Sequence, residues 1–124
     1  MTTAPTLAAL LPLAGLAACQ PPPDQRHHMP LADAERGRQA MERVGCGACH
    51  DVPGVWPKGR VGPALGGVAR RSLIAGRLPN RPDLLAAFVR DAPRLAPDTA
   101  MPAMPLTEEE ARDVAAYLYA LGDR

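Results

Sequence analysis

Three stretches of the chain place apolar residues at helical spacing, and long Gly/Pro-rich stretches separate them. Asp33 to Val44 is rich in helix-forming residues and ends at Gly45, a residue suited to a left-handed helix stop. Asp83 to Arg90 follows Pro82, carries Leu84, Leu85, Phe88 and Val89, and closes at Ala92-Pro93. The third is the clearest: Thr107 and Glu110 have the spacing of a capping box, with acids at the positive end of the helix. Val114, Ala115, Leu118 and Leu121 then form one apolar stripe. Strand signals are nearly absent, because no run alternates over several positions. The pattern predicts an all-α domain of three to four helices from Leu31 to Arg124.

Val52 to Gly67 and Ala92 to Leu106 are read as long connections. Loops of that length inside a compact domain need a reason, and wrapping a large ligand is one. The composition points the same way. The 124 residues hold 15 Pro and 11 Gly but only one Trp, two Tyr and one Phe. So few rings leave a small core short of buried area, and domains of this size often recruit a metal or another staple.

The first residues are set aside from the fold. Leu7 to Ala18 is an uncharged run ending at Cys19, too short for a bilayer span of roughly 20 residues. It reads as a secretory signal over residues 1–18. Leu16-Ala17-Ala18-Cys19 resembles a bacterial lipobox, which implies that Cys19 is the lipid-modified first residue of the mature chain. Met1 to Thr6 contains no Lys or Arg, a departure from that pattern. Residues 19–30, with Pro21-Pro22-Pro23, are expected to be a stiff tether carrying solvated His27 and His28.

The chemistry lies at Cys46-Gly47-Ala48-Cys49-His50. This C-x-x-C-H run reads as a c-type haem attachment site. In a helical turn, positions i, i+3 and i+4 share a face, so two thiols can bond the haem while His50 reaches its iron. A thioredoxin-like site would need a βαβ surround, and a zinc ribbon would need a second pair of ligands. Neither is present. The three cysteines are then accounted for, with two on haem and one on lipid.

With these motifs on the page, the chain resembles a monohaem cytochrome c of the small helical type, over nearly all of Leu31 to Arg124. The resemblance rests on the attachment run, Val61-Gly62-Pro63-Ala64-Leu65, a Met-Pro strap, and Asp113 to Leu118. Ala69 to Asn80 is similar to the cytochrome c domain fused to subunit II of some haem–copper oxidases. The expectation is a free-standing, lipid-tethered relative of that domain with the cytochrome c fold.

The resemblance implies one covalent haem c with His50 and a methionine as axial iron ligands. Met101 and Met104 both precede Pro, which favours extended backbone; the family spacing picks Met101, with Met104 the alternative. It further implies that the Pro63 carbonyl accepts from the ligand histidine. Gly37 would meet Val114 and Tyr117 where the first and last helices cross, and Met41 stands where an aromatic residue is usual. Trp56, Arg70, Arg71 and Asn80 are candidate contacts to the haem propionates.

Charge completes the reading. Lys+Arg 14 against Asp+Glu 13 leaves no basic field for nucleic acid. The basic residues concentrate between Lys58 and Arg94, which would steer an acidic partner if they ring the haem edge. The expected function is electron transfer, not enzymatic turnover, since no nucleophile–base set or phosphate loop is present. Partners would be a respiratory oxidase or dehydrogenase complex, met on the periplasmic side of a membrane to which the lipid binds the chain. The alternative is a gas-binding or sensing haem protein, or a weak peroxidase, with a labile distal ligand.

Overall fold

The computed structural model describes Met1 and residues 25–122, so the expected signal and Cys19 lie outside the described residues. The described residues form four α-helices: α1 (Ala34–Val44), α2 (Pro82–Arg90), α3 (Ala92–Leu95) and α4 (Glu108–Ala120). Both ends of α1 follow local chemistry. The Asp33 side chain accepts from the Arg36 amide at 2.8 Å, and Gly45 stops the helix at φ 82°. The capping box of α4 is complete, with Thr107 and Glu110 each bonding the other's backbone amide.

α4 is the spine of the domain, packing along α1 and against α2. Its apolar stripe, Val114, Ala115, Leu118 and Leu121, is buried as the spacing requires. α1 and α4 cross at Gly37, where a Cβ would stand 2.0 Å from the Asp113 carbonyl oxygen and 2.8 Å from the Val114 amide nitrogen. Only glycine admits that approach. Tyr117, the other expected partner, reaches beyond the crossing: its hydroxyl donates to the Pro53 carbonyl at 2.7 Å, over Gly54, which Arg38 of α1 also approaches. Beside the crossing, Asp113 is 2 % exposed and accepts from the Asp33 amide and the Arg36 guanidinium.

Two features add to the expected helices. α3 forms one turn inside the stretch read as a loop, capped by the Asp91 side chain. A hairpin of two short strands, β1 (Leu73–Ile74) and β2 (Leu78–Pro79), pairs antiparallel with Leu73 opposite Pro79 and Ile74 opposite Leu78. Its turn places Ala75 at φ 50° and Gly76 at φ 70°. Positive φ at both central residues matches the twist of a tight hairpin.

Residues 25–30, expected within the tether, are laid along α4. The His27 ring stacks on Tyr119 with centroids 4.0 Å apart, and Arg112 reaches the Pro30 carbonyl. Among the described residues, no helix is long and apolar enough to cross a membrane.

Candidate functional site

An apolar cavity of about 270 Å³ opens between the helices and the long loops. α1 supplies Met41, α2 supplies Leu85, Phe88 and Val89, and α4 supplies Val114 and Leu118. Met41, placed where an aromatic residue was expected, is buried and forms part of this wall. Sequence reasoning missed the hairpin, whose Leu73, Ile74 and Ala75 line the rim. Strands of two residues are too short to show any alternation.

Cys46 and His50 of the C-x-x-C-H run, directly after α1, line the cavity, while Cys49 on the same turn is exposed and outside its lining. Cys46–Ala48 forms a 3-10 turn, and the amides of Cys49 and His50 both donate to the Cys46 carbonyl. Both cysteines are free thiols, and burial pushes the Cys46 thiol up from its ordinary pKa. The His50 Nδ1 lies 2.7 Å from the Pro63 carbonyl oxygen, the arrangement expected of these residues. A carbonyl only accepts, so Nδ1 carries the proton and Nε2 keeps its lone pair.

Glycines build the bed for this turn. A Cβ on Gly62 would lie 2.4 Å from the His50 Cε1 and 2.7 Å from its Nδ1. Cβ atoms on Gly47 and Gly59 would collide with the backbones of Pro57 and Ala48. The amides of Gly59 and Gly62 donate to the carbonyls of Gly47 and Cys49, so residues 59–62 fold back onto the attachment turn. Gly62 precedes Pro63 in the quoted motif, yet spacing alone carried no sign that its missing side chain makes room for the imidazole.

The two candidate methionines separate. Met101 lines the cavity with His50, whereas Met104 packs against the core without lining it. Met104 is pinned to the end of α2, where its amide donates to the Arg90 carbonyl at 2.9 Å and Ala103 bridges to Asp91. Met101 is set by its own amide, which donates to the Thr99 hydroxyl at 3.2 Å.

The candidate propionate contacts divide also. Arg71 lines the cavity and donates to the Ala64 carbonyl. Asn80 lines it too, but its amide group donates to the Val68 and Arg71 carbonyls while its oxygen accepts from Tyr119. Both donors are taken by backbone, so Asn80 holds the cavity wall instead of offering a donor to a ligand. Arg70 lies over Gly67, away from the cavity lining. Trp56 is 78 % exposed and also absent from the lining, while its backbone packs on Gly47.

The basic stretch is partly neutralised in place. Lys58 pairs with Asp51, Arg77 with Asp98 and Arg81 with Asp83. The field available to steer a partner is weaker than the bare residue count implies.

The donor set fits a haem: two thiols and an imidazole on one turn, a thioether on the same cavity, and an apolar wall. Comparison with known proteins agrees. Residues 32–118 match the family described as cytochrome c oxidase, cbb3-type, subunit III. A cytochrome c oxidase subunit 2 of Alkalihalophilus pseudofirmus is 38% identical over 89 residues, covering 71% of this chain. The match spans 25% of that protein's length. The crystal structure of SoxXA from P. pantotrophus contains a chain with the same fold, at TM-score 0.57 and 22% identity, covering 73% of this chain and 82% of that one. The chain is thus a haem-binding, electron-transferring cytochrome c domain and belongs to the family of cbb3-type cytochrome c oxidase subunit III.

Proposed function

We propose that the chain is a single-haem electron carrier, exported to the periplasmic side of a membrane and anchored there by lipid on Cys19. Thioether bonds from Cys46 and Cys49 hold the haem, and His50 and Met101 ligate its iron. The observation carrying this reading is that His50 and Met101 border one apolar cavity while the second imidazole nitrogen is committed to Pro63.

When bound, the haem supplies a reversible one-electron couple. The chain's own residues do the rest. His50 presents Nε2 in a fixed orientation, and the bond to Pro63 raises its basicity. Met101 offers a soft, polarizable donor suited to iron in its lower charge state. Met41, Phe88 and Leu118 exclude water, which with His/Met ligation raises the reduction potential. With His50 and Met101 both held by the iron, the site would keep no place for a substrate, and the chain would pass electrons without turnover. The likeness to part of an oxidase subunit 2 supports a haem–copper oxidase as partner, with a dehydrogenase complex at the other end of the transfer.

Absorption spectra of the exported protein beside Met101→Ala and Met104→Ala test the ligand assignment. The iron–sulfur charge-transfer band is expected to vanish in Met101→Ala alone. A colourless product sinks the haem reading. Rapid carbon monoxide binding by the reduced native protein would replace the carrier by a gas-binding protein.

A further inference from the structure

The segment that joins the anchor to the domain is held on one particular face. Val114 and Leu118 of α4 line the haem cavity, whereas Ala116 and Ala120 line a second hollow with His27, His28 and Met29. At about 100° per residue the two pairs lie on opposite sides of the helix. The second hollow is therefore behind the cavity, one helix thickness away.

Chain length limits how far this face stands from the anchor. Cys19 precedes Gln25 by six residues, and the turn at Gln25–His27 is already docked on Tyr119. A fully extended chain of that length reaches about 20 Å. The start of the docked turn, at Gln25, would thus lie within that distance of a lipid on Cys19.

A second observation sits at the other end of the same segment. Leu31 follows Pro30, which Arg112 of α4 contacts, and its side chain is 97 % exposed. Its backbone is at φ 68°, a conformation that glycine adopts at far lower cost. The Ala32 amide bonds the Met29 carbonyl, closing a turn whose third residue is this leucine. A strained, solvent-facing leucine gains nothing inside the isolated domain. Arg26 and His28 of the same segment are exposed as well. An apolar tip flanked by basic side chains suits the boundary between headgroups and acyl chains.

We propose that the back of α4, from Arg26 to Leu31 and across Ala116 and Ala120, lies on the membrane surface. The haem cavity then faces away from the bilayer, toward a partner's water-exposed domain. This rests on lipidation of Cys19.

Single thiols test the orientation in the lipidated, haem-loaded chain on vesicles of phosphatidylcholine and phosphatidylglycerol. Leu31→Cys and Ala120→Cys report the back face, and Ala75→Cys reports the cavity rim. Vesicle binding is expected to slow maleimide reaction at the two back-face thiols about tenfold relative to the same protein freed of its anchor, and to leave the rim thiol unchanged. Equal protection of all three, or protection of Ala75→Cys alone, overturns the orientation while leaving lipidation intact. Failure of the unmodified chain to sediment with vesicles, or sedimentation undiminished by Cys19→Ala, removes the anchor and the orientation with it.

Discussion

The Tyr119 hydroxyl donates to the Asn80 Oδ1 at 2.8 Å, so the last helix holds the residue that ties two loops of the cavity wall together. Tyr119→Phe removes one bond and is expected to cost about 1 kcal/mol, while Asn80→Ala releases three and costs about 3 kcal/mol. The Tyr119 phenol is pushed up to about 12, first by burial and then by Asp83 nearby. Between about pH 10 and this value the unfolded phenol ionises while the folded one keeps its proton. Its contribution to stability is therefore intact below about pH 10 and lost as pH rises toward 12. Urea midpoints at about pH 9 and about pH 11 should fall further apart in wild type than in Tyr119→Phe.

Gly62→Ala pushes a methyl group into the His50 ring. The expected result is a displaced imidazole, a weakened bond to Pro63 and an altered spectrum in a protein that still folds. Circular dichroism beside absorption separates the two effects. An unchanged spectrum would show that the ring does not depend on this glycine.

Gly37→Ala sets two opposing effects against each other. Alanine improves helix propensity by about 1 kcal/mol. The new methyl group would stand 2.0 Å from a backbone oxygen of α4, which no rotamer can relieve. Overpacking of this kind costs about 3 kcal/mol, so net destabilisation near 2 kcal/mol is expected in thermal melts.

Asp113 and Arg36 predict a reversal of sign. Arg36→Ala leaves the buried Asp113 carboxylate on the Asp33 amide without its guanidinium, and the variant is expected to be less stable than wild type. Asp113→Asn should destabilise the wild-type protein, because it breaks the charged pair. In the Arg36→Ala background the same change should stabilise, since the neutral amide still accepts from Asp33 without a stranded charge. A double-mutant cycle measured by denaturant unfolding decides it.

The helices and the attachment turn were legible because their signals are local. Asp33, Gly45 and Thr107 with Glu110 act within one turn of where they stand, and C-x-x-C-H places its chemistry within five residues. The misplaced residues all depend on distant parts of the chain. Asn80 resembles a donor waiting for a ligand until Val68, Arg71 and Tyr119 occupy every polar atom it has. A large ring such as Trp56 is expected at least partly inward, and its 78 % exposure shows only in the folded chain. His27 sits among polar neighbours, so nothing short of the folded molecule reveals its stacking on Tyr119.

The hairpin at the cavity rim is fastened on its outer side by Arg77 to Asp98, an exposed pair joining it to the segment that carries Met101. Such a contact contributes little to global stability. Its consequence lies in how variation can act. Changes at these two surface positions would alter how readily water enters the cavity past Leu73 and Ala75, while every helix contact stays as it is.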